Sequence, residues 1–128
     1  MQDKPPLYIK NYNLIIYLYK IVHNFEKEYK HTLGIALLGT AYEVLDNIIV
    51  ANSLPNNKKF IKIKEVSSSF DKLKMRIRIA YDIGLISHKR FSFIIKQEIE
   101  IGLMINGWLK WAESPNTSIC ERTWQRYC

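Results

Sequence analysis

The sequence is short of the residues that interrupt a chain: 5 glycines and 4 prolines among 128 residues, so long unbroken elements are expected rather than many short strands. Cysteine is scarcer still. Cys120 and Cys128 both fall in the last nine residues, with no Cys-x-x-Cys pair or Cys/His cluster to hold zinc. In a loop they could pair as a disulfide, but on a continuous helix they would stand roughly 12 Å apart, too far for one, so a reduced tail and a cytoplasmic protein are expected. No apolar run approaches the roughly 18 residues of a membrane span. The opening Met1-Gln2-Asp3-Lys4-Pro5-Pro6 lacks a basic segment followed by an apolar one, so neither membrane association nor a signal peptide is expected. Also missing are the Gly-x-x-x-x-Gly-Lys phosphate loop and the Gly-x-Ser-x-Gly elbow. Ferritin-like di-iron bundles need paired Glu and Glu-x-x-His sets on facing helices, and these are not supplied either. His23, His31 and His88 form no pair at metal-ligand spacing. The expectation is a protein that binds rather than catalyses, without cofactor or metal.

What the sequence does have is apolar residues, 48% of the chain, against 24% charged, the balance of one globular domain. It also has charge of one sign: 19 basic and 12 acidic side chains, a formal +7 that favours phosphate-rich polymers at low salt.

Apolar spacing of threes and fours predicts four helices, at about 8–25, 32–52, 58–83 and 88–112, in an up-down-up-down bundle spanning 1–112. In the first, Tyr8, Tyr12, Ile15, Tyr19 and Val22 form one seam and Leu14, Leu18, Ile21 and Phe25 another. The tyrosines are expected to be half-buried. The charged stretch from Glu26 to His31 reads as a turn and Thr32 as the cap of the second helix. That helix carries Leu33, Leu37, Ala41, Val44, Ile48 and Ala51 on one stripe. Its small residues Gly34, Ala36, Gly39 and Ala41 would admit a close neighbour. Ser53-Leu54-Pro55-Asn56-Asn57 is a loop.

The third helix has the most regular pattern. Ile63, Val66, Phe70, Leu73, Ile77, Ala80 and Gly84 alternate steps of three and four, a heptad seam that Gly84 closes as a C-terminal cap. Ser87 caps the fourth helix after a short turn. Phe91, Ile94, Ile101, Ile105 and Trp108 line its inner face, and Ile95, Ile99, Gly102 and Leu109 a second face, more apolar surface than one bundle core requires. Glu98 falls within the inner seam and would need a partner there. Residues 113–128 form a short basic-aromatic tail.

Several segments resemble a known family. They are Lys58-Lys59-Phe60-Ile61, Phe70-Asp71-Lys72-Leu73-Lys74, Arg76 to Asp82, Ile86 to Phe91, and Glu100 to Trp111 with its closing Gly-Trp-Leu-Lys-Trp. The chain is similar to the accessory variability determinants of diversity-generating retroelements. These sit within the wider four-helix-bundle family that includes proteins encoded in 23S rRNA intervening sequences. The resemblance implies a homopentameric, basic barrel that accompanies a reverse transcriptase and its RNA in mutagenic cDNA synthesis. It carries no catalytic motif, and the tail after Glu113 lies outside it.

Candidate site residues follow from charge and register. Lys58, Lys59, Lys62, Lys64, Lys72, Lys74, Arg76 and Arg78 decorate the third helix, and Lys89 and Arg90 open the fourth. Placed against the seam, Lys64, Lys72 and Arg78 point outward while Lys62, Lys74 and Arg76 flank it. This is a positive stripe of about 30 Å that could meet RNA or DNA phosphates. A solvated helix face looks the same in sequence, so the alternative is a structural or interaction module whose charge is incidental. Ile95, Ile99, Trp111 and Trp124 are the candidates for a subunit or partner interface, and Trp108 for the core.

Overall fold

The computed structural model describes residues 6–113. Among these, every regular element is helical. Helix α1, Leu7–His23, starts where Pro6 leaves the extended conformation and its carbonyl accepts from the amides of Ile9 and Lys10 at 3.0 and 3.1 Å. It ends with Lys20 and His23 in the last turn, cations that suit the negative end of the helix dipole. Asn24 Nδ2 donates to the Lys20 carbonyl at 3.3 Å.

The expected turn over Glu26–His31 is shorter in the structure. Helix α2 spans Lys27–Ser53, 27 residues, and the Glu26 carbonyl accepts from the amides of Tyr29 and Lys30 at 2.9 Å each. The physical reason is that Glu and Lys are good helix formers on a solvated face, and this stretch contains no glycine or proline to stop a helix. Thr32 is accordingly not a cap: it lies inside the helix and its Oγ1 donates to the Glu28 carbonyl at 2.9 Å. One turn, Lys30–Gly34, is wound wide as a π-helix.

Helix α2 is long and apolar enough in composition to cross a membrane, a length that no single unbroken apolar run in the sequence had suggested. In this fold Leu37, Ala41, Val44, Ile48 and Ala51 occupy the bundle core. Close approach happens at Gly34, where an added Cβ would lie 2.8 Å from Val22 Cγ1, whereas Gly39 faces open space and Ala36 is exposed.

Helix α3, Lys59–Asp82, follows the turn at Leu54-Pro55 and a short 3-10 segment, Asn56–Lys58. Its seam is as the spacing requires: Ile63, Val66, Phe70, Leu73, Ile77 and Ala80 are all buried. Gly84 takes φ +88°, a conformation that a side chain would strain, and the Leu85 amide donates to the Ala80 carbonyl at 2.9 Å, sealing the helix end. Ser87 Oγ accepts from the Arg90 amide at 3.2 Å and starts α4, His88–Glu113.

Consecutive helices pack on one another and α4 closes back on α1. The Lys10–Glu100 ion pair at 2.6 Å and the Tyr17–Phe93 ring contact at 4.7 Å fix α1 and α4 as antiparallel neighbours. The result is a four-helix bundle around one core, in which Trp108 is fully buried. One aromatic expectation needs correction. Trp111 is buried at 3% exposure rather than lying on a surface, because it continues the inner seam one turn beyond Trp108. Tyr8, Tyr12 and Tyr19 are half-buried as expected, at 44–51% exposure, and stand outside the fully buried core. The inner positions of α1 are taken by Leu7, Asn11, Leu14, Leu18 and Ile21 instead.

Candidate nucleic-acid interface

Because the α3 seam is buried along its whole length, the register of the positive stripe is fixed. Lys58, Lys64, Lys72 and Arg78 are exposed, and Lys62, Lys74 and Arg76 are partly covered at the flanks. Lys89 and Arg90 are exposed at the start of α4, next to the α3 terminus.

Lys59 leaves the stripe. It is 4% exposed, and its ammonium turns inward to donate to the carbonyls of Ala51 at 2.6 Å and Asn52 at 3.1 Å. Those carbonyls lie in the last turn of α2, where the helical ladder runs out; Ala51's also accepts from the Leu54 amide at 3.3 Å, and the lysine adds a second cap from the next helix. A phosphate contact by Lys59 would require giving up these bonds. A run of adjacent lysines cannot reveal this in sequence; the placement follows from the tight connection at Leu54-Pro55.

Four of the nine remaining cations have local anionic partners. Lys62 pairs with Glu65 at 2.9 Å, Lys74 with Asp71 at 3.4 Å, and Lys72 reaches across to Glu43 of α2 at 3.7 Å. Arg78 Nε donates to both oxygens of Asp82, at 3.0 and 3.2 Å. Arg76 donates to Thr40 Oγ1 at 2.7 Å, tying α3 to α2. The stripe is therefore laced with carboxylates rather than bare. Exposed pairs of this kind contribute roughly 0–1 kcal/mol, so a phosphate can replace the carboxylate at little cost. Lys58, Lys64, Lys89 and Arg90 have no acidic partner among the described residues.

Rings do accompany the stripe. Lys64 lies over Phe60 at 5.5 Å, Lys74 over Phe70 at 5.2 Å and Arg78 over Phe91 at 5.9 Å. Phe70 and Phe91 are buried, so they orient cations and cannot stack on bases. A second basic cluster, Lys20, His23 and Lys30, lines a cavity of about 640 Å³ between α1 and α2. It went unnoticed in the sequence because its members sit either side of a turn and share no repeat.

The apolar candidates divide. Ile99 is 58% exposed and Leu103, one turn on, 68%, while Ile95 is half-buried. Trp124, Cys120 and Cys128 lie outside the described residues.

Glu98 is buried at 9% exposure, and its Oε2 has no hydrogen-bond partner. Burial pushes its carboxyl up to about 7, with Lys74 partly opposing the shift. Glu28 and His31 stand at Glu-x-x-His spacing, both exposed. Among the described residues, no group of three or more His, Cys, Asp or Glu side chains gathers to hold a metal.

A family model described as bAvd-like matches residues 7–112, from the first residue of α1 almost to the end of α4. Comparison with curated proteins finds no match, and comparison with solved structures finds none.

Proposed function

The chain belongs to the bAvd-like family, and from that membership we propose that it is a non-catalytic, cytoplasmic accessory protein of a diversity-generating retroelement. In this reading it binds RNA or cDNA and a reverse transcriptase, and supports mutagenic reverse transcription. The observation that carries the nucleic-acid half is the outward row of cations on α3, continued by Lys89 and Arg90. A rigid helix presents them at fixed spacing, and the Asp82 carboxylate holds Arg78 ready for exchange onto phosphate. Ile99 and Leu103, with Ile95 beside them, supply apolar surface on α4 for sister subunits of a homopentamer or for the polymerase.

Filter binding of RNA at increasing salt tests this reading, since each neutralised phosphate releases counterions. Affinity should fall steeply with salt. Replacing Lys72, Arg76 and Arg78 with Gln should reduce the slope by about 3, at roughly one per lost phosphate contact. A flat salt response in the parent protein would overturn the nucleic-acid role. It would favour the second reading, a structural bundle of the intervening-sequence kind with incidental charge, to which the lacing of the stripe by Glu65, Asp71, Asp82 and Glu43 lends support. Light scattering at micromolar concentration checks the assembly; a monomer there would count against the pentamer.

A further inference from the structure

We propose that the groove between α3 and α4 is a receptor for a basic side chain, arginine above all, carried by a protein partner. The groove has a volume of about 400 Å³. Glu98 lines it, nine-tenths buried, with Oε2 lacking any hydrogen-bond partner. A carboxylate so placed is costly to the fold, and a charged donor arriving from outside would recover much of that cost.

The groove's own cations fill this role only in part: the Lys74 charge opposes the effect of burial on Glu98 without bonding to it. Lys74 pairs with Asp71 at 3.4 Å and rests over the Phe70 ring, while Arg78 is held by Asp82 and rests over Phe91. The charged groups that α3 turns to the groove are Asp71, Lys74 and Arg78, and α4 contributes Glu98. With Lys74 offset by Asp71 and Arg78 by Asp82, the charge left over is the carboxylate. That sign selects a cation as guest. Met75 and Ile95 also line the groove, so a three-methylene stem would lie against apolar surface while its guanidinium reaches the carboxylate. This inference does not depend on the retroelement reading, although Lys74 and Arg78 of the cation row border the groove.

Because burial raises the Glu98 carboxyl to about 7, a cationic guest must displace a proton near neutrality, and its affinity rises with pH. An anion held by Lys74 and Arg78 beside a protonated Glu98 would show the opposite trend. The experiment is an NMR titration of the full chain with N-acetyl-arginine amide, which has no carboxylate of its own, following the backbone amides of Met75, Ile95 and Glu98. Saturable shifts are expected, about tenfold tighter near pH 8 than near pH 6 as the ionised fraction grows. Glu98→Gln should abolish them. If that variant does not fold, the pH ratio in the parent protein decides alone.

The proposal is overturned if the parent protein gives no shifts near pH 8, or if Glu98→Gln binds as well as the parent. It is equally overturned if inorganic phosphate moves the same amides, more strongly at the lower pH. Binding by Lys74→Met alone, with none by the parent, would mean that Lys74 already occupies the carboxylate, and would also overturn it.

Discussion

Two charges lie in the interior beside α3, Lys59 at its own start and Glu98 on the facing α4, and they are handled in opposite ways. At its start Lys59 is 4% exposed and donates to two carbonyls that close α2. Nearer its other end, α3 faces Glu98 of α4, 9% exposed with one oxygen unpartnered. The first charge completes the backbone hydrogen bonding of its neighbour, and its removal harms only the fold. The second completes nothing within the described residues, and its removal relieves the fold. The contrast separates a charge retained for architecture from one that remains available to a ligand.

Stability measurements can break or sharpen this contrast. The largest effect is expected for Lys59→Met, which preserves the stem but removes the charged donor from the Ala51 and Asn52 carbonyls, leaving the first with the Leu54 amide alone. A loss of about 3 kcal/mol is expected in urea denaturation. A neutral result would mean that water replaces the ammonium and that Lys59 is free for other duties.

Next comes Glu98→Gln, with the opposite sign. The carboxyl titrates at 4.5 when unfolded and at about 7 in the fold, so between those values the folded chain holds the extra proton and stability falls as pH rises. The full penalty is present above about pH 7 and absent below about pH 4.5. The variant should therefore exceed the parent by about 2 kcal/mol near pH 8 and match it near pH 4. No gain at the higher pH would show that Glu98 already has a partner when ionised. The smallest effect is expected for Lys64→Gln, an exposed cation without an acid partner, whose stability should stay within about 0.5 kcal/mol of the parent at any pH.

The architecture was readable in the sequence wherever one face of a helix meets the core. The α3 seam from Ile63 to Ala80 and the α4 seam through Trp108 are buried as their spacing requires, and the Gly84 and Ser87 signals mark a real helix end and start. Reading failed where polarity stood in for geometry. Glu26–His31 looked like a turn because it is charged, yet charge is compatible with an exposed helical turn. Asn11 stands in neither apolar seam of α1, yet it is fully buried with Nδ2 3.4 Å from the Ala41 carbonyl. The tyrosines of α1 were expected to be half-buried and are so, since a phenol can keep its hydroxyl at the surface, as Tyr19 does with it 3.0 Å from that of Tyr42.

The candidate site was legible as a list of cations and not as an electrostatic surface. Heptad position told which lysines point outward. It could not tell that Glu43, on another helix, lies 3.7 Å from Lys72, or that Lys59 turns back on the helix before it. Both facts depend on how helices are placed against each other, which no single-helix periodicity contains.

The wide turn at Lys30–Gly34 has a consequence for how this chain can change length. A π turn accommodates a residue beyond the α-helical repeat, and each residue of an α-helix rotates the chain by about 100°. Deleting one residue there would let the ladder tighten to the ordinary winding. The three residues Lys27–Tyr29 would then draw closer along the axis while keeping nearly their facing relative to Ile35 onward, because the π turn covers about the same angle as an α turn one residue shorter. Insertions and deletions in this protein can thus be absorbed inside a helix, with the join to α1 adjusting and the three-helix remainder left in register.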